Sequence, residues 1–190
     1  KLLTEAGWVD RDNDGVRENE EGQPFTFNFI YSTGSTEAQQ MALMVKDAMA
    51  RVGVNMIPEK LDWPIMQQKL DDRDFDAIML GWGGSVESDV YQMFHSSQIA
   101  DGGDNYVSFN SSRADEAIDR ARATFDQDAS IAGWNEVHRI LHEEQPYTFL
   151  TNRKAVSLID RRFRNIEATG IGLNYAWEYY VPGPVQRHGQ

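Results

Sequence analysis

The chain has no cysteine among its 190 residues, so disulfide frameworks and thiolate metal sites are both excluded, and no redox compartment is indicated. Basic residues are scarce. Lys and Arg number 18 against 30 Asp and Glu, a formal net charge of -12. Nucleic acid and anionic membrane surfaces repel such a chain, which removes both as partner classes. No apolar run approaches the ~20 residues that span a bilayer. No leader-like stretch occurs in these residues, and that says nothing about export, because the chain opens at Lys1, without Met, inside the helix-like Lys1-Leu2-Leu3-Thr4-Glu5-Ala6. It is expected to be a piece of a longer protein. A Gly-x-Ser-x-Gly elbow and a phosphate loop are absent, and Ser85 has no neighbouring His or acid, so nothing asks to be read as catalytic.

Hydrophobic residues make up 41% and charged residues 25%, enough for an ordinary packed core. Phe25 to Tyr31 alternates like a strand. Thr36-x-x-Gln39 then predicts a capping box for a helix with Ala38, Met41, Ala42, Val45, Ala48, Met49 and Val52 on one stripe, stopped by Gly53. Val54 to Glu59 reads as a second strand. Asp62 caps a short helix that tolerates Pro64 in its first turn. Phe75 to Leu80 reads as a third strand, and its run Ala77 to Leu80 predicts burial on both faces. Strand, helix, strand, helix, strand with right-handed crossovers gives a small parallel sheet under helices. Ser112-x-x-Asp115 predicts a further helix cap, with Ala114, Ala117, Ile118, Ala121 and Phe125 inward. A helix from about Asp128 carries Ile131, Trp134, Val137 and Leu141 until Pro146 ends it. Tyr147 to Thr151 and Ala155 to Ile159 read as two more strands. After Arg161 the pattern dissolves into an aromatic, glycine- and proline-rich tail.

Ligands in open α/β sheets sit beyond the carboxyl ends of the strands. That rule singles out Gly81-Trp82-Gly83-Gly84-Ser85: glycines admit a ligand's backbone, and Trp82 offers an apolar face with one donor, where a plain turn would use it as core filler. Asp10 to Glu21 (DRDNDGVRENEE) satisfies the calcium-loop pattern, with Asp10, Asp12, Asp14, the Val16 carbonyl and Glu21 as ligands. Two features oppose a switching EF-hand: Arg17 occupies a position normally apolar, and a strand rather than a helix follows. A solvated, Asx-rich connector is the simpler reading. His138 and His142 are four apart on one helix face, a metal pair by spacing, but no third ligand is obvious and a plain helix face is favoured. Arg161-Arg162-Phe163-Arg164 reads as an anion site or a solvated turn with ion pairs. The acid pairs Asp71-Asp72 and Glu143-Glu144 read as surface charge.

Four stretches taken in order carry a resemblance: LLTEAGWVDRDNDGVRENEEGQPFTFNF, FDAIMLGWGGSVESDVYQMF, NYVSFNSSRADEAIDRARATFD and HRILHEEQPYTFLTNR. Together they resemble the family 5 extracellular solute-binding proteins, the oligopeptide- and dipeptide-binding components of ABC importers. The resemblance implies an α/β fold, a periplasmic-binding-protein-like type II lobe with a small mixed sheet flanked by helices. It implies that residues 1–160 are the C-terminal ligand-binding lobe and that 161–190 form a tail returning to the missing N-terminal lobe. It implies non-catalytic binding of a solute, a peptide foremost, for uptake by a membrane permease, in the periplasm or outside the cell, with anchoring through the missing N-terminus. The ligand set it implies is Gly81, Trp82, Gly83, Gly84, Ser85, Glu87, Asp89, Tyr106 and Arg153, the last two placed by the resemblance alone. In the relatives an acid pairs with the peptide's α-amino group near the position of Ser85, and Glu87 or Asp89 comes close to it if the alignment slips. Val90 replaces the family's proline. No cofactor is expected, apart from the calcium candidate. A homodimer through surface that the missing lobe would cover is a further expectation. The competing readings are a calcium-dependent interaction module and a metal-dependent hydrolase on His138 and His142.

Overall fold

The computed structural model describes residues 1–83, 89–100, 102–152, 156–169 and 172–183. They belong to two compact units, Lys1–Trp82 with Ser96–Phe109, and Gly83–His95 with Asn110–Gln190.

After a short helix α1 (Leu2–Glu5), the first unit is organised by β1 (Thr26–Ser32), the middle strand of a sheet of order β2-β1-β3. β2 (Asn55–Leu61) and β3 (Ala77–Ile78) both pair with it in parallel. Parallel neighbours require crossovers, and α2 (Thr36–Ala50) and α3 (Trp63–Asp72) supply them, α2 packing on β1 and β2 and α3 on β1. Ile30, Tyr31, Ala42, Val54, Met56, Met66 and Leu70 form the core. Pro58 is accommodated because β2 lies at an edge.

β3 is shorter than the expected strand from Phe75 to Leu80, and Ala77 to Leu80 is half-buried rather than covered on both faces. It is the opposite edge strand. The Asp76 carboxylate, accepting from the Asn28 backbone N–H at 2.9 Å, stands in for a ladder bond just before the pairing begins. Two helix caps lie one residue earlier than expected. Ser35 and Ser111 accept from the N–H groups of Ala38 and Ala114, because each holds the extended backbone that a cap needs. In α2 the stripe is buried at Ala42, half-buried at Ala38, Met41, Val45 and Met49, and exposed at Ala48 and Val52.

Gly53 ends α2 with φ +79°, and Arg17 lies against it, so a Cβ there would meet Arg17 Cγ at 2.8 Å. Arg17 donates from Nε to the Val52 carbonyl at 2.7 Å and from Nη1 to the Trp8 carbonyl at 2.9 Å. The residue that spoils the calcium-loop pattern is thus the strut joining that loop to α2. Gly53→Ala is expected to lower stability by about 1–2 kcal/mol, through left-handed strain and displacement of this strut. A urea titration with unchanged slope checks it.

The second unit contains α4 (Tyr91–Phe94), α5 (Ser112–Ala123) and α6 (Gln127–Glu144), then a small hairpin of β4 (Ala168–Thr169) and β5 (Gly172–Leu173). α5 and α6 pack along Ala114, Ala117, Ile118 and Ala121 against Val137, Ile140 and Leu141, all buried. Gly133 lets them close in, since a Cβ there would sit 3.1 Å from the Ala121 Cα. Phe125 and Ile131, expected inward, are exposed: Thr124 leaves the helix in extended conformation, and Asp126 caps α6 from just beyond it.

The two strands expected at Tyr147 to Thr151 and Ala155 to Ile159 are not formed among the described residues; Ala155 lies outside them. Tyr147 and Phe149 instead pack their rings with Phe94, and a strand pattern without a partner edge makes no ladder. The sheet of the first unit is accordingly wholly parallel. The tail holds more order than its pattern promised. Asn174 accepts from Glu167 N–H at 2.9 Å and donates to the Asn165 carbonyl at 3.0 Å, closing the β4-β5 region. No helix among the described residues is long and apolar enough to cross a membrane.

Candidate functional site

At the carboxyl edge of the parallel sheet, two of the three strand exits are tied together. Thr33 donates its N–H to the Leu61 carbonyl at 2.8 Å and its hydroxyl to the Asp62 carboxylate. The exit of β3 runs on through Gly81 to Trp82, whose side chain is half-exposed. Trp82 faces Tyr106 with ring centroids 6.3 Å apart and planes 15° from parallel. Tyr106 is held from below by its neighbours. Gly103 presses on the Gln98 backbone so closely that a Cβ would fall 2.1 Å from the Gln98 carbonyl oxygen. Asn105, fully buried, accepts from Phe109 N–H at 2.9 Å and donates to the Phe109 carbonyl at 2.8 Å, locking a tight turn with Ser108 at φ +52°. The Tyr106 hydroxyl donates to Asp104 at 3.0 Å. The result is a paired aromatic surface with a carboxylate at its rim.

Of the other expected ligand residues, Gly83 begins the second unit, and Gly84, Ser85, Glu87 and Arg153 lie outside the described residues. The Asp89 carboxylate is engaged on both oxygens. One accepts from Tyr91 N–H at 2.9 Å, and the other pairs with Arg122 Nε at 2.9 Å. Arg122 also lies over the Tyr91 ring at 4.0 Å, and Tyr91 stacks on His95. His95 reaches Asp119 at 3.6 Å and Asp115 at 4.0 Å, so α4 is clasped to α5 on both sides.

The acidic loop closes as a hairpin, Val9 and Glu18 exchanging backbone bonds of 3.0 and 3.1 Å. Asp10, Asp12, Asp14 and Glu18 bring carboxylate oxygens within 4.8 Å of one another; Glu18, not the expected Glu21, completes the group. Each is already an acceptor for backbone: Asp10 for Asn13 and Gly15, Asp12 for Asp14, Asp14 for Val16, and Glu18 for Arg11. These are the Asx turns that shape the loop. Glu21 is not in that group, and its backbone N–H donates to the Asn19 side chain. In EDTA at low salt, Asp12→Asn is expected to raise the melting temperature, since it relieves repulsion and keeps an acceptor for Asp14 N–H. A lower melting temperature in that experiment would show that the Asp12 carboxylate's bond to Asp14 N–H outweighs the repulsion; a calcium-induced rise in the wild-type melting temperature that Asp12→Asn abolishes would show that a cation holds the loop.

His138 and His142 are both exposed on α6, and neither belongs to a group of three or more metal-ligating side chains among the described residues. In the basic cluster, Arg162 forms a two-bond pair with Asp160, at 3.1 and 3.0 Å, which holds its guanidinium above the ordinary range through that hydrogen bond and charge. Asp104, Arg122 and Glu18 were not identified from sequence. Asp104 had a signal available, an acid two residues before a candidate aromatic; Arg122 had none, because its partner lies more than thirty residues away.

Residues 1–104 match the family described as bacterial extracellular solute-binding proteins, family 5 Middle. The oligopeptide-binding protein AppA of Bacillus subtilis is 30% identical over 152 residues, covering 79% of this chain and 28% of AppA. Protein XP55 of Streptomyces lividans is 27% identical, covering 100% of this chain and 34% of XP55. The chain therefore spans about a third of the length of these relatives, or less. The structure of B. subtilis AppA in complex with a nonapeptide superposes with a TM-score of 0.72 at 29% identity, over 77% of this chain and 29% of that one. A match across more than half of its residues, in the segment that carries the sheet and Trp82, makes this chain a member of the family 5 bacterial extracellular solute-binding proteins.

Proposed function

We propose that this chain is the ligand-binding lobe of an exported receptor that captures a peptide or related small solute and delivers it to an ABC-transporter permease. The observation that carries this is the half-exposed Trp82, paired with Tyr106 where β3 leaves the sheet, in a member of a solute-binding family. The proposed role is non-catalytic and needs no cofactor. Gly81, Gly83 and Gly84 present backbone groups to the solute, and Trp82 and Tyr106 cover its apolar part. Ser85, Glu87 and Arg153 supply polar contacts, while Asp89 is already engaged with Arg122. A second lobe closes over the solute, and contacts made only when closed hold it. Residues 161–190 return to that lobe. The protein works in the periplasm or outside the cell. Neither the calcium-dependent module nor the metal-dependent hydrolase is favoured by this family.

Mass spectrometry of the solute that co-purifies with the full-length protein tests the reading. A peptide or small solute released on denaturation, present at about one per protein and lost in Trp82→Ala, is the expected result. Detectable turnover of that solute by the purified protein would overturn it.

A further inference from the structure

Arg73 carries two unfavourable features at once. It ends α3 in the left-handed conformation, φ +53°, that favours glycine. Its Nε is also buried with no hydrogen-bond partner among the described residues, and a buried unpaired donor lowers stability. What the side chain gains is one short bond, Nη2 donating to the Ile99 carbonyl at 2.6 Å. Backbone strain and unpaired buried polar groups gather where function requires them.

Ile99 belongs to a compact loop. Asn105 N–H donates to the Gln98 carbonyl at 3.3 Å and Gly103 N–H to the Ala100 carbonyl at 3.0 Å, while the Asn105 side chain holds Phe109. With Gly103 pressed onto the Gln98 backbone, the loop has no slack, so a hold on Ile99 is a hold on Tyr106. Residues 73–82 and 99–106 therefore meet at both ends, by the Arg73 bond before β3 and by the Trp82–Tyr106 ring contact after it.

Building on the proposed function, we infer that Arg73 is a positioning residue of the solute site: it ties residues 98–109 to the start of β3, fixes the Tyr106 ring against Trp82, and so sets how Trp82 is presented to the solute. Arg73 touches no solute itself. Its strain and its unpaired Nε are the stability given up for that hold.

The test is amide hydrogen exchange in the full-length protein, with the co-purifying solute counted by mass spectrometry in the same samples. Arg73→Gly is expected to speed exchange at Asn105, Ser108 and Phe109, whose N–H groups bond within the loop, by about fivefold or more, and to leave β1 unchanged. It is expected to cut the solute retained per protein to about half or less. Yet the melting temperature of the solute-free form should hold or rise, because glycine relieves the left-handed strain and removes the unpaired donor. Arg73→Lys keeps a cationic donor for Ile99 and should stay within about twofold of wild type in exchange and in retained solute. Unchanged loop exchange in Arg73→Gly overturns the positioning role. So does faster exchange across β1 together with a lowered melting temperature, which is the signature of a purely structural residue. Faster loop exchange with solute retained as in wild type also overturns it, and leaves the solute-binding reading standing. Wild-type protein that carries no solute overturns the solute-binding reading, and the loop exchange then decides the hold on Tyr106 by itself.

Discussion

Replacing Trp82 with alanine in the full-length protein is expected to weaken solute binding by one to two orders of magnitude without unfolding it. The side chain is 46% exposed, so a solute resting on it covers about 100 Å² of aromatic surface. At about 25 cal/mol per Å², that is roughly 2.5 kcal/mol, between ten- and a hundredfold in affinity. Truncation also removes the half that packs on its neighbours, so the ligand-free melting temperature is expected to fall by a few degrees while the fold is kept. Tryptophan fluorescence in the wild type supplies a second readout, because Trp82 is desolvated when the solute arrives. An affinity within twofold of wild type would remove Trp82 from the site.

Ile140→Ala is expected to be the most damaging of these changes to stability. Ile140 is fully buried between α5 and α6, where Gly133 and Ala121 already bring the helices into close contact. Truncation there leaves a cavity that the hairpin cannot close further, at a cost of about 2–5 kcal/mol. For a chain of this size that lowers the melting temperature by about 4–20 °C. Ile131→Ala on the same helix is the matched control. That side chain is 53% exposed, and its loss should cost about 0.5 kcal/mol or less. Thermal melts of the two variants side by side separate the buried stripe from its exposed neighbour.

The helices were legible because their stripes repeat at 3.6 residues: Ala114, Ala117, Ile118 and Ala121 stand where the period puts them. Helix ends were less so. Ser35 and Thr36, or Ser111 and Ser112, offer the same hydroxyl one residue apart, and only the backbone conformation chooses between them. Phe125 and Ile131 were misplaced because the period was carried past the point where one helix stops and across the start of the next. Alternation at residues 147–151 and 155–159 was real, but a strand also needs an edge to pair with, and local pattern carries no information about that. At the site, the rule of strand carboxyl ends led to Trp82 from the residues themselves. Tyr106 came only from the resemblance, because its ring reaches Trp82 across twenty-four positions of chain. The calcium-loop pattern named Glu21, while the hairpin bridge at Val9 swings Glu18 into the acidic group instead.

The bond between Thr33 and Asp62 joins the exits of β1 and β2 and takes in neither Gly81 nor Trp82, which follow β3. That stretch is consequently an interchangeable part. Gly81 and Trp82 can be changed by mutation while the core around Ile30 and Met56 keeps its packing. Under the proposed function, solute choice in such a chain is free to drift faster than its architecture, and a library confined to those positions tests that.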